Sequence, residues 1–119
     1  MTMNNRMKGS SYELEAASFF ERSGFEILEK NYRRKTGEID LILREGSTYV
    51  FAEVKYRKNT RQGFPEEAVT KEKMRRITRT AKWYLKEHGL PEEGTPCRFD
   101  VISILYGNIS HIRNAFGGF

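Results

Sequence analysis

The 119 residues carry a net charge of +5 and 31% charged side chains, yet 38% are hydrophobic and 13% aromatic, which suits one folded domain and excludes an intrinsically disordered chain. The positive balance favours an anionic partner, nucleic acid first and an acidic membrane surface second. Cys97 is the only cysteine, which excludes an intramolecular disulfide and a cysteine-rich zinc site. No window approaches the roughly 20 apolar residues of a membrane span, and the start MTMNNRMKGS lacks an apolar stretch of signal-peptide type, so a cytoplasmic protein without membrane partners is expected.

Residues 1–10 read as a flexible N-terminus and 114–119 as a flexible tail around one domain at 11–113. A helix is expected from Ser11 to Ser23, closed by Gly24 in the left-handed conformation. Its stripe of Glu13, Ala16, Ala17 and Phe20 falls at i, i+3, i+4, i+7 and is apolar apart from the carboxylate at its head. Ser10-x-x-Glu13 is also a capping box, so Glu13 serves either the helix start alone or a site.

A strand follows over Phe25 to Tyr32, and then a hairpin, GEIDLILREGSTYVFAEVK, at residues 37–55. Phe64-Pro65-Glu66-Glu67 opens a long second helix with proline and acids in its first turn, and His88-Gly89 closes it. CRFDVISILYG and NISHI form two last strands joined by a Gly-Asn turn. This order predicts an α/β domain with one central mixed sheet flanked by helices, the strand order being left open.

The hairpin carries Glu38, Asp40, Glu53 and Lys55 inside its apolar runs. A tight turn centred on Gly46-Ser47 separates two faces. One pairs Ile39 with Val54, Leu41 with Ala52 and Leu43 with Val50. The other pairs Glu38 with Lys55, Asp40 with Glu53, Ile42 with Phe51 and Arg44 with Tyr49. Like charges directly opposite destabilise a sheet, so Asp40 and Glu53 require compensation. Lys55 provides part of it in a solvated salt-bridged face. The sharper alternative is a divalent cation site, because Mg²⁺ and Mn²⁺ take carboxylate oxygens and are completed by waters and substrate phosphates.

Asp40 followed by Glu53-Val54-Lys55, with Glu13 on a preceding helix, resembles the PD-(D/E)xK core of restriction-endonuclease-like proteins. Gly37-Glu38-Ile39-Asp40-Leu41-Ile42 and Phe51-Ala52-Glu53-Val54-Lys55 resemble both archaeal Holliday junction resolvases and the bacterial YraN family. The YraN resemblance extends through Asn31-Tyr32-Arg33, Ala68-Val69 with Lys73, Arg98-Phe99-Asp100-Val101, His111-Ile112 and Asn114-Ala115-Phe116. It implies Asp40 and Glu53 as metal-binding carboxylates for Mg²⁺ or Mn²⁺, Lys55 as the catalytic lysine and Glu13 as a further acid of the site. Tyr12 stands where relatives tend to have glycine. Glu38 either extends the metal site or pairs with Lys55.

On the second helix, Met74, Ile77, Ala81, Tyr84, Leu85 and His88 form a core-facing stripe, whereas Lys71, Arg75, Arg79, Lys82 and Lys86 form a line of positive charge, either a solvated face or a phosphate track. Lys73 and Arg76 point elsewhere, and by resemblance Lys73 is the better candidate for the sheet face. Arg57, Lys58 and Arg61 lie in a basic loop after Lys55 that either closes on phosphates or is merely solvated. Arg98 and Asp100 read as an internal ion pair, His88 and His111 as structural, and Trp83 as packing. The resulting expectation is a metal-dependent nuclease or nuclease-like protein acting on DNA, branched DNA by the resolvase resemblance, with a two-fold dimer in that role. The alternative is a non-catalytic nucleic-acid-binding module on the same fold.

Overall fold

The computed structural model describes residues 12, 14–57, 70–105 and 108–115. Helix α1 (residues 14–22) precedes β1 (Glu26–Arg34), β2 (Gly37–Glu45), β3 (Thr48–Arg57), α2 (Lys71–Glu87), β4 (Cys97–Leu105) and β5 (Asn108–Ile112). The strands form one sheet in the order β1-β2-β3-β4-β5. Among the described residues only β3 and β4 pair in parallel, and the intervening segment carries α2, since a parallel pair needs a long crossover. The architecture is the expected mixed sheet flanked by two helices, consistent with a restriction-endonuclease-like α/β fold.

Both faces of the sheet are covered, which accounts for the continuous apolar runs of β2, β3 and β4. On one face Ala16, Ala17 and Phe20 of α1 pack on Leu41, Leu43, Val50, Ala52 and Ile102. On the other, Ile77, Ala81, Tyr84 and Leu85 of α2 pack on Ile42, Phe51, Phe99 and Val101.

The hairpin has the register read from its turn: Leu41 opposes Ala52, Ile42 Phe51, Leu43 Val50 and Arg44 Tyr49. Gly46 heads the turn with φ +60°. The expected faces fail at one position. Ile39, placed with Leu41 by strict alternation, packs instead in the α2 cluster beside Tyr32 and Ile42. The cause lies in β1, where Asn31 has φ +54° between the pairs Lys30–Leu41 and Tyr32–Ile39. A left-handed residue inside a strand interrupts the pleat, and Asn tolerates that conformation better than most.

Both helices end in the same device. Gly24 (φ +91°) follows Ser23, with Phe25 N–H donating to Phe20 O at 3.0 Å and Gly24 N–H to Glu21 O at 3.1 Å. This is a Schellman closure, and the Phe25 and Phe20 rings meet edge to face at 5.0 Å. At the end of α2, Leu90 N–H donates to Leu85 O at 2.8 Å and Gly89 N–H to Lys86 O at 3.2 Å. The start of α2 departs from expectation. Thr70, extended at φ −76°, ψ 165°, caps it by accepting from Lys73 N, so the helix begins at Lys71 rather than near Phe64. The proline-acid stretch lies outside the described residues.

At the C-terminal end NISHI forms β5 with the expected bounds, Asn108 pairing with Leu105. Asn114 and Ala115, expected at the head of a free tail, donate their N–H groups to Asp100 Oδ1 and Phe99 O.

The turn between β1 and β2 touches α2 directly. Thr36 and Thr80 share a hydrogen bond between hydroxyls at 2.7 Å. A Cβ on Gly37 would lie 3.3 Å from Thr80 Oγ1 and 3.5 Å from Arg76 Cβ, and its φ of +149° disfavours any side chain. Glycine is what permits this close approach.

Candidate functional site

The interrupted pleat at Asn31 falls beside Asp40, and the β2–β3 ladder ends at Leu41–Ala52. Beyond it, Val54 N–H donates to Asp40 Oδ2 at 2.8 Å, so a side-chain carboxylate takes a donor that a strand carbonyl would otherwise accept. Asp40 is thereby held in position by β3 without being a simple cross-strand neighbour of Glu53. The expected Asp40–Glu53 repulsion is relieved by this bond and by cations.

Glu53 lies on the sheet face that α2 covers, and its side chain is only 9% exposed. Two ammonium groups converge on its Oε1: Lys73 Nζ at 2.7 Å and Lys55 Nζ at 3.2 Å. The Thr70 cap fixes the helical turn from which Lys73 reaches down. A solvated salt-bridged face therefore does not describe these charges. Glu38 does not pair with Lys55; it binds Arg33 across β1 at 3.0 Å.

The two lysines differ electrostatically. Burial pushes the Lys55 ammonium below the usual lysine range, and Lys73 beside it adds to the effect. Burial is the largest single influence on Lys73 and opposes its charge, but the bond to Glu53, the contact with Lys55 and the charges of Glu53 and Asp40 together hold its pKa above the usual value. Lys73 is the firmly charged partner of Glu53, and Lys55 the more readily neutralised one.

Asp40, Glu53 and Lys73 line a cavity of about 410 Å³ together with Gly37, Glu38 and Arg76. Two carboxylates on one cavity suit a hard divalent cation whose remaining positions go to water and substrate oxygens. Lys73 and Lys55 compete with such an ion for Glu53 Oε1. Among the described residues no three His, Cys, Asp or Glu side chains form a metal cage. The donor type fits, with two carboxylates as the protein's contribution. Glu13 lies outside the described residues.

Of the basic candidates, Lys71, Arg75 and Arg79 are exposed on α2 with Lys82 and Lys86, in the expected line. Lys73 stands apart from them on Glu53, and Arg76 binds Glu72 at 2.7 Å. Arg57 closes β3, while Lys58 and Arg61 lie outside the described residues. Trp83, expected in packing, is 44% exposed because its position on α2 turns it away from the sheet. The sequence pattern gives no expectation for Asn31, the left-handed residue that lies level with Asp40 between the pairs Lys30–Leu41 and Tyr32–Ile39. A lone asparagine inside a strand pattern was the available signal.

A second polar cluster occupies the α1 face. Asp100 is fully buried and accepts from Arg98 Nε at 3.0 Å and Asn114 N at 2.9 Å, with His111 Nε2 at 2.7 Å. Arg98 continues to Glu45 at 2.9 Å, which also binds Arg113 at 2.9 Å. The expected internal ion pair is present, and His111 is structural, packed edge-on against Phe20 at 4.9 Å. His88 is exposed and bonds the Tyr84 carbonyl at 2.8 Å. Burial raises the Cys97 thiol to about 11, which keeps it protonated.

No helix among the described residues is long and apolar enough to cross a membrane. The chain is 51% identical over 117 residues to a UPF0102 protein of Lachnoclostridium phytofermentans, covering 98% of both chains. It is 42% identical to one of Persephonella marina, covering 92% of this chain and 93% of the relative. It is 45% identical to one of Aliivibrio salmonicida, covering 94% and 93%. Residues 12–104 match the family described as "Uncharacterised protein family UPF0102". The matched span includes Asp40, Glu53, Lys55 and Lys73, and the chain belongs to this family, the YraN family of the resemblance drawn from its motifs.

Proposed function

We propose that this protein is a divalent-metal-dependent nuclease acting on DNA. The observation that carries the reading is the convergence of Asp40, Glu53 and Lys73 on one cavity, with Lys55 on the same carboxylate oxygen as Lys73. A cation such as Mg²⁺ or Mn²⁺ held by Asp40 and Glu53 supplies an activated water and neutralises phosphate charge. Val54 N–H orients Asp40 toward that role, level with the left-handed Asn31 of β1. Lys55 lies within reach of the carboxylate on which the water would be held, where it orients the water or stabilises charge on a phosphate oxygen. The exposed line of Lys71, Arg75, Arg79, Lys82 and Lys86 gives the backbone of a strand an electrostatic track beside the site. Branched DNA, cut by a two-fold dimer, is the substrate that the resolvase resemblance suggests.

A second reading rests on a specific contact. The 2.7 Å ion pair between Lys73 and Glu53 occupies a carboxylate oxygen that a cation needs, which favours a nucleic-acid-binding module that holds DNA without turnover. Cleavage of labelled junction, flap, single-stranded and duplex DNA in Mg²⁺ or Mn²⁺ separates the two. The nuclease reading expects cutting by the wild type that Glu53→Gln and Lys55→Ala each reduce by about 10²–10⁴-fold. Binding without cutting in every lane moves the conclusion to the module, and neither binding nor cutting removes both.

A further inference from the structure

A second cleft, of about 440 Å³, opens along the C-terminal half of α2. Its lining includes Arg79, Lys82, Trp83 and Lys86 of the helix, Leu90 and Pro91 after it, and Thr36 of the β1–β2 turn. Thr36 faces this cleft and its neighbour Gly37 faces the Asp40–Glu53 cavity, so the turn hydrogen-bonded to Thr80 is the ridge between the two. The largest apolar side chain here is the indole of Trp83, 44% exposed, with Lys86 Nζ 5.2 Å from its ring centroid. Lys82 is tied to Glu92 at 3.4 Å, which leaves Arg79 and Lys86 as the cations flanking the ring without a carboxylate partner among the described residues.

We infer that this cleft is a stacking subsite for an unpaired nucleobase, with Trp83 as the platform and Arg79 and Lys86 on the flanking phosphates. This rests on the reading that the chain acts on nucleic acid, and it specifies a substrate with a single-stranded segment. An exposed aromatic ring among cations is the arrangement that binds single strands, because every base has a stacking face and every linkage a negative charge. A duplex keeps its bases stacked inside and offers the ring nothing. Lys73 and Trp83 are ten residues apart on one helix, roughly 15 Å along its axis. That separation is a few nucleotides of an unpaired strand, so one strand can pass both cavities.

Trp83 is the only tryptophan, so its emission reports this cleft alone. Oligodeoxythymidylate added to the full chain at low salt is expected to quench it in a saturable way. Anisotropy of labelled oligonucleotides then gives affinities for the variants. Trp83→Ala should weaken single-strand binding about tenfold more than it weakens duplex binding, and Trp83→Phe should restore most of the loss, with melting temperatures confirming that both variants fold. Duplex binding without quenching by the single strand, or equal losses on both substrates in Trp83→Ala, overturns the subsite and leaves the nuclease reading standing. Equal quenching by polyglutamate assigns the cleft to acidic peptides and overturns it as well. Binding of no nucleic acid at all removes the subsite and the reading beneath it together.

Discussion

The two polar clusters on opposite faces of the sheet contain the same ingredients and do opposite things. In the cluster around Asp100, the Glu45 carboxylate and both guanidiniums are held in their charged forms. Hydrogen bonds from Arg113 and Arg98 depress the Glu45 carboxyl to about 2, and Arg98 stays above its ordinary value although burial opposes it, because it bonds Asp100 and Glu45. Around Glu53, burial and a neighbouring ammonium push Lys55 toward its neutral form. The first cluster is closed by the ring nitrogen of His111 and the backbone of Asn114, while the second borders a 410 Å³ cavity. Net charge does not distinguish them. What does is Lys55, an ammonium whose charged form its surroundings oppose beside a cavity, which singles out that cluster as the candidate site.

Matched isosteric substitutions should break the symmetry of this comparison most visibly. Asp100→Asn turns a fully buried acceptor ringed by donors into a partial donor, and should cost about 3–5 kcal/mol in urea unfolding. A loss below about 1 kcal/mol would show the closed cluster to be dispensable. Glu53→Gln keeps an oxygen for Lys73, and cavity water can solvate the lysines, so about 1–2 kcal/mol is expected. If the two substitutions cost the same, the distinction between the clusters fails.

Asn31 sharpens the comparison from the side of the backbone. Asn31→Val places a β-branched residue at φ +54° and should cost about 1–2 kcal/mol while speeding hydrogen exchange at the Val54 amide, which depends on Asp40. Asn31→Gly should leave that exchange slow. Unchanged exchange in Asn31→Val means that Asp40 is positioned by something else.

The smallest effect concerns pH. Because the folded Glu45 carboxyl titrates at about 2 rather than 4.5, the stability it contributes is fully present above pH 4.5 and is lost as pH falls toward 2. The amount is small, since Glu45 is 35% exposed and solvent screens it. Melting curves across that window should fall less steeply for Glu45→Gln than for the wild type; parallel curves would show that Glu45 is not charged by the two arginines.

Much of this was legible in the chain itself, because it is local. Gly46-Ser47 sets the hairpin register, and Gly24 and His88-Gly89 mark the helix ends by turn chemistry that needs no distant partner. Alternation also put Glu53 and Lys55 on one face. It could not say that α2 covers that face, since a period of two identifies faces but not what packs on them. The contact of Lys73 with Glu53 spans twenty positions and depends on where the helix starts, and Thr70 is a less conspicuous cap in sequence than the proline-acid stretch before it. Ile39 departs from alternation for a related reason: the rule assumes an unbroken pleat, and Asn31, on a different strand, interrupts it.

The central claim is that Asp40 and Glu53 form a divalent cation site, and titration of the free protein with Mn²⁺, followed by electron paramagnetic resonance, tests it without requiring a substrate. The account predicts one saturable site in the wild type and in Glu45→Gln, lost in Asp40→Asn and in Glu53→Gln. No saturable binding in the wild type, or binding equal in all four proteins, would contradict it.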